Sequence, residues 1–171
     1  MEDSLDRVAL SVELFRQGYN CAQAVTAAFA DLYGLTREQA LRVAASFGGG
    51  IGRMREVCGA ASGMFILAGL DCGSVTEGDA AGKEYNYRVV QQLASTFRQR
   101  NGSIICGELL GLRPMGTSMA GASAQTTDPV PEARTDEYYK KRPCIRMIEE
   151  AARIFSEYLQ NKELADVNNV K

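Results

Sequence analysis

Apolar residues recur along this chain at intervals of three and four, a period that selects helices over strands. Leu5, Val8, Val12, Phe15 and Tyr19 share one helical face, with Ser4 as the expected cap and Gly18 as the stop. Asn20 and Gln23 form a capping-box pair, in which each side chain can satisfy the other's backbone N–H. They open a second helix, expected to run through Leu32 with Gly34 just beyond it. Thr36 and Gln39 repeat the signal and open a third, from Arg37 to Phe47. Further helices are expected over 57–70 and over 83–100, the latter with Val90, Leu93 and Phe97 on one face. A helical turn follows from Cys106 to Leu110, with Gly111 as its stop. A last helix turns Ile148, Ala151, Ala152, Phe155 and Leu159 inward, and Pro143 either starts or kinks it. Val57 and Ile104-Ile105 are too isolated to build a sheet. The expected fold is all-α: a bundle of five or six helices in one domain spanning 1–171. The stretch from Leu112 to Arg134 is rich in Gly, Ala, Ser, Thr and Pro and lacks any period, so it reads as a mobile loop.

Composition narrows the function. A chain of 171 residues, 46% hydrophobic and 23% charged, can bury a real core. Its formal net charge of −2 lacks the overall basic character of nucleic-acid binders, so no nucleic-acid partner is expected. The longest apolar run, Met64 to Leu70, is far too short for a membrane span. The start Met1-Glu2-Asp3-Ser4 is acidic where a secretory signal needs a basic stretch, so the cytoplasm is the expected location. There is no histidine. Ser-His-Asp and Cys-His catalysis and mixed Cys/His zinc sites are thereby excluded. Chemistry falls to Cys, carboxylates, Lys, Arg, Tyr or a bound cofactor.

There are five cysteines, an odd number that argues against a secreted disulfide framework. Cys21, Cys58, Cys106 and Cys144 each stand at an expected helix start. Unpaired N–H groups and the helix dipole favour an anion there, and a thiolate is one. Cys72 instead follows a helix end, beside Asp71. The plainer alternative is packing: Cys21 shares a face with Val25, Ala28 and Leu32, and Cys144 with Ile148, Ala151 and Phe155. Free cysteine often serves as a small hydrophobe. Four at helix starts, all on inward faces, favour convergence on one site. No local Cys-x-x-Cys occurs, so the fold must assemble any pair.

These pieces together resemble the C_GCAxxG_C_C family of small, redox-active bacterial and archaeal proteins. The matching segments are Tyr19-Asn20-Cys21-Ala22-Gln23-Ala24, Phe47-Gly48-Gly49-Gly50-Ile51-Gly52-Arg53-Met54 and Cys58-Gly59-Ala60-Ala61-Ser62-Gly63. Cys106 before Glu108-Leu109-Leu110-Gly111, and Cys144 in Arg142-Pro143-Cys144, complete the pattern. The resemblance spans about Phe15 to Phe155. It implies that Cys21, Cys58, Cys106 and Cys144 are the characteristic cysteines and that Cys72 is an extra. It also implies association with a transporter system, since such proteins are often encoded beside transporters.

Gly48 to Gly52, followed by Arg53 and Arg55, could form an anion-binding nest. The phosphate-loop lysine and the dinucleotide pattern are both missing, so a structural turn beside Cys58 is the preferred reading. Arg53 and Arg55 could still lower the pKa of Cys58 or hold an anionic substrate. Glu132 to Glu137, with Glu149 and Glu150, read as solvated faces. Tyr138-Tyr139 reads as packing, and Met115 and Met119 lie in the loop without soft-metal company.

The leading expectation is a thiol-dependent oxidoreductase working by dithiol–disulfide or thiol–peroxide chemistry. Cys58 is the expected attacking thiol, and Cys21, Cys106 and Cys144 are the expected resolving or relay thiols. Its partner would be a redox protein or a small substrate. A second expectation is a binding or electron-transfer module, the same four cysteines holding zinc or an iron–sulfur centre. Spacings of 37 and 48 positions between them count against it. A third is a non-catalytic, transporter-associated interaction domain with inert cysteines.

Overall fold

The computed structural model describes residues 2–116 and 128–169. Among these it is all-α, in one domain. Eight α-helices follow in chain order: α1 (Glu2–Arg16), α2 (Cys21–Ala27), α3 (Arg37–Ala44), α4 (Gly59–Cys72), α5 (Ala80–Asn101), α6 (Cys106–Leu109), α7 (Asp136–Lys141) and α8 (Cys144–Asn169). Six of them have seven or more residues, which agrees with the expected bundle of five or six; α6 and α7 are short additions. The one β feature is an isolated antiparallel bridge between Val57 and Ile105. No helix among the described residues is long and apolar enough to cross a membrane.

Both capping boxes form as the sequence spells them. Asn20 accepts from Gln23 N at 3.0 Å, and Thr36 from Gln39 N at 3.2 Å, with each glutamine returning to its cap. Elsewhere the boundaries move for identifiable reasons. α1 begins at Glu2, so Ser4 lies inside it rather than capping it; acidic residues suit a first helical turn. The second helix stops at Ala27 and resumes as a 3-10 turn over Ala30–Tyr33. Phe29 breaks it, turning its ring edge-on to Phe155 at 5.2 Å. The third helix likewise ends in a 3-10 turn over Ala45–Phe47. Asp79 caps α5 through Gly82 N at 2.9 Å, which starts that helix earlier than its apolar face suggested. Thr135 caps α7, which lacks a period long enough to read from sequence. Pro143 starts α8, its carbonyl accepting from Met147 N at 3.0 Å.

Part of the expected mobile loop, residues 117–127 with Met119, lies outside the described residues. Residues 128–134 are irregular but tied down. Arg53 Nε donates to Asp128 O at 3.1 Å, and Arg134 donates to Phe15 O and Tyr19 O at 3.2 and 3.1 Å.

α4 is the central element, packed against α2, α5 and α8. Its residues Ala60, Ala61, Met64, Leu67 and Ala68 are wholly buried, with Phe15, Phe29, Phe97, Ile148 and Phe155 around them. Its far end is clasped by Asp71, which accepts from Tyr158 Oη at 2.6 Å and from Lys162 Nζ at 2.9 Å. The approach of α4 to α2 requires glycine. A Cβ on Gly63 would stand 2.9 Å from Ala22 O and 3.0 Å from Val25 Cβ.

That close approach yields a stability test. Gly69 lies in the same helix with nothing within 4 Å of its would-be Cβ. Gly69→Ala should therefore stabilise by about 0.5–1 kcal/mol, through the lower backbone entropy of the unfolded chain. Gly63→Ala should destabilise by about 1–3 kcal/mol, because the added carbon overpacks a backbone contact. Thermal melts followed by circular dichroism separate the two; equal melting temperatures would show that the α2–α4 approach is loose.

Candidate active site

Four cysteines stand where four helices begin. Cys21, Cys106 and Cys144 are the first residues of α2, α6 and α8, and Cys58 is the N-cap of α4. All four line one cavity of about 60 Å³, together with Arg55, Arg134, Tyr138 and Arg142. All five cysteines are free thiols. Cys72 closes α4, 14 residues beyond Cys58, which at the helical rise is about 21 Å away. There its sulfur donates to Ala68 O at 3.2 Å and accepts from Asn86 Nδ2 at 3.3 Å. Cys72 takes no part in the cavity.

Three local devices bring the four thiols together. Gly59 lets the start of α4 meet the start of α2, since its would-be Cβ would stand 3.1 Å from Cys21 Cβ. The Val57–Ile105 bridge sets Cys58 beside Cys106. Cys58 N donates to Ile104 O at 2.7 Å, and Cys106 N to Glu56 O at 2.6 Å. The glycine-rich stretch then wraps over Cys106. Gly49, Gly50, Ile51, Gly52 and Arg53 all have left-handed φ, between 54 and 74°, and Arg55 follows at 64°. At Gly50 any Cβ would stand 2.6 Å from Cys106 Cβ, so glycine is needed there for space as well as φ. For Ile51, Arg53 and Arg55 that conformation costs on the order of 1–3 kcal/mol each. The packing around the thiols offsets this strain. The structural reading of the stretch thus accounts for its glycines, while Arg55 also lines the site and Arg53 turns to Asp128 and Glu132.

The thiols are not equivalent. Burial, with a smaller push from the neighbouring Cys106, raises Cys58 to about 12. The N–H groups of Ala61 and Ala60 at the start of α4 pull it back only in part. Cys106 is also raised by burial, against a hydrogen bond and positive charge from Arg55. Cys144 moves the other way, down to about 7. The main cause is the hydrogen bond donated by the Cys21 thiol; Arg142, Arg134 and Arg55 add to it, while burial opposes. Cys21, as the donor, is held well above its ordinary value. Cys58 and Cys106 are buried, whereas Cys21 and Cys144 are partly exposed. Burial thus works against the thiolate character expected of Cys58, whereas the surroundings of Cys144 favour it.

Several residues of the site were missed in sequence. Arg134 stacks on Phe15 at 4.3 Å and on Tyr138 at 5.3 Å, and Arg142 stacks on Tyr138 at 4.9 Å. Tyr138 is thus a platform for two guanidinium groups as well as a packing residue. Glu132, expected on a solvated face, forms ion pairs with Arg53, Arg55 and Arg142. The Arg142-Pro143-Cys144 run contained one usable signal, a cation two residues before a helix-start cysteine. Among the described residues, no group of three or more His, Cys, Asp or Glu side chains is spaced to hold a metal ion.

A family model described as "Putative redox-active protein (C_GCAxxG_C_C)" matches residues 19–158. No curated protein and no solved structure matches the chain.

The electrostatics predict a ranked reactivity. Iodoacetamide should alkylate Cys144 first, with a rate that rises through a midpoint near pH 7 and levels off above it, because only the thiolate reacts. Cys58 should stay nearly silent until strongly alkaline pH. Cys21→Ala removes the donor and should move the Cys144 midpoint upward. Peptide-resolved alkylation across pH measures all three; a Cys58-first order would return the attacking role to that residue.

Proposed function

The chain belongs to the C_GCAxxG_C_C family, and we propose that it transfers two electrons between a dithiol and a substrate disulfide, with Cys144 attacking and Cys21 resolving. The observation that carries this reading is the shared cavity: Cys21 and Cys144, at the starts of α2 and α8, line it together and are its two partly exposed cysteines, and Cys21 with the nearby arginines lowers the Cys144 thiol. An attacking thiol works best with a pKa near ambient pH, and about 7 meets that condition.

The steps follow from the residues. The Cys144 thiolate attacks one sulfur of a substrate RS–SR′. A Cys144–S–S–R bond forms, the substrate S–S bond breaks, and R′S⁻ leaves. Cys21 then gives up its proton to the departing thiolate and attacks the Cys144 sulfur. This forms Cys21–S–S–Cys144 and expels the second substrate thiol. Two thiols of the protein are oxidised and one disulfide of the substrate is reduced. Arg142 and Arg134 hold the starting thiolate, and their favourable field weakens as its charge passes to the departing R′S⁻. Cys58 and Cys106, adjacent across the Val57–Ile105 bridge, serve as a buried second dithiol.

The test uses 2-hydroxyethyl disulfide and intact-mass measurement. Wild-type protein should lose two hydrogens, with the new bridge mapping to Cys21 and Cys144. Cys21→Ser should stall with the adduct on Cys144, and Cys144→Ser should form neither species at neutral pH. Cys72→Ser should behave as wild type. Stoichiometric zinc or iron in the anaerobically purified protein, with no bridge formed, would replace this reading by a cysteine-ligated metal centre. Unreactive thiols and no metal would leave an interaction domain with inert cysteines.

A further inference from the structure

Beside the thiol pair, three guanidinium groups point at one carboxylate. Arg53 and Arg55 come from the left-handed turn and Arg142 from the residue pair before α8. All three are largely buried, with 19, 10 and 18% of their side chains exposed, and all three meet Glu132 Oε1. The match is uneven. Arg142 makes a close hydrogen-bonded pair with Glu132, whereas Arg53 and Arg55 stand 3.9 Å away, beyond hydrogen-bond reach. Arg55 Nε is buried with no partner among the described residues. Three positive charges therefore share the Glu132 carboxylate and, through Arg55 and Arg142, the Cys144 thiolate, and Arg55 Nε is left over as a buried donor. Leaving such a donor unmade is costly, and a better-placed acceptor would recover that cost. Glu132 itself is 48% exposed and belongs to the irregular segment before α7, so it can swing out more readily than the arginines can.

We propose that Arg53, Arg55 and Arg142 form a carboxylate-binding subsite for the substrate, and that Glu132 occupies it in the resting protein. The inference rests on the dithiol–disulfide reading above, to which it adds the substrate class: small disulfides that carry a carboxylate a few bonds from the sulfur. Arg55 fixes the distance. It lines the cavity together with Cys106 and Cys144 and reaches toward Glu132. An acid group seated on it thus places an attached disulfide over the thiol pair. Guanidinium pairs with carboxylate in a planar, two-bonded geometry, which favours this anion over a diffuse one. Glu132 displaced from the subsite moves into solvent and loses one close ion pair, which the incoming carboxylate replaces with contacts to all three arginines.

The experiment compares three disulfides of similar size: 3,3′-dithiodipropionate, which is a dicarboxylate, neutral 2-hydroxyethyl disulfide, and cationic cystamine. Rates of Cys21–Cys144 bridge formation should rank dicarboxylate, neutral, cation, with about tenfold between the first two, the worth of one charge-assisted contact. Glu132→Gln should raise the dicarboxylate-to-neutral ratio a further several-fold, and Arg53→Gln should lower it. Equilibrium binding of adipate, a redox-inert dicarboxylate, gives an independent readout by protein NMR. It should tighten in Glu132→Gln and weaken in Arg53→Gln. Equal rates for the three disulfides, with no adipate binding in wild type or Glu132→Gln, would overturn the subsite while leaving the dithiol reading intact. Adipate binding that responds to both variants, in a protein whose thiols reduce none of the disulfides, would support the subsite and overturn the dithiol reading.

Discussion

The start of α4 is pressed against the start of α2, and the site depends on that contact. Two glycines permit it, Gly59 beside Cys21 and Gly63 beside Ala22. With a side chain at either position the helices would stand apart, and Cys21 would be carried away from Cys58. The same constraint recurs at Gly50, where backbone must lie directly on Cys106. The fold thus buys proximity of thiols with small residues and left-handed backbone, and it concentrates both within 48–63. The rest of the bundle supplies the opposing mass. Phe29, Phe97 and Phe155 hold α2, α5 and α8 around α4, and Asp71 fixes its far end to Tyr158 and Lys162.

Four helix starts meet, yet only one thiol is lowered, and the reason is a competition between two terms. A helix N-terminus is worth roughly 0.3–1 kcal/mol to an exposed anion, up to about 2 in a favourable partly buried site. Removing a thiolate from water costs more unless donors and cations replace the water. Cys58 has two backbone N–H groups and deep burial, and burial wins. Cys106 has Arg55 and, more weakly, Arg142, and burial wins there too. Cys144 has a thiol donor and three guanidinium groups, and there the charged form wins. The division is useful for exchange chemistry. The partly exposed pair can meet substrate, while the buried pair is sheltered from adventitious oxidants.

How much of this was legible depends on how local the cause is. The capping boxes at Asn20 and Thr36 act within three residues, and they were readable as written. The break at Phe29 was not, because it answers to Phe155, far along the chain. The helix-start positions of the four cysteines were also local and readable. Which of them ionises was not, because Arg134 reaches the site by hydrogen-bonding carbonyls 119 and 115 positions earlier. A composition rich in Gly, Ala, Ser, Thr and Pro made 112–134 look featureless, and the ion pairs of Glu132 gave no local sign. The helix start and nearby arginines that point to Cys58 are local, whereas the desolvation that opposes them exists only in the folded core.

The proposed chemistry requires Cys21 and Cys144 to be one reversible two-electron couple. Equilibrating the protein in buffers of graded reduced and oxidised dithiothreitol or glutathione, then trapping free thiols and reading each cysteine by mass spectrometry, measures this directly. The predicted result is that Cys21 and Cys144 lose their free thiols together, along one Nernst curve for two electrons. Its midpoint should lie at roughly −120 to −270 mV, the span of known exchange proteins, with Cys72 reduced throughout. Cys21 and Cys144 titrating separately, or Cys144 forming only mixed disulfides while Cys21 stays reduced, would contradict it.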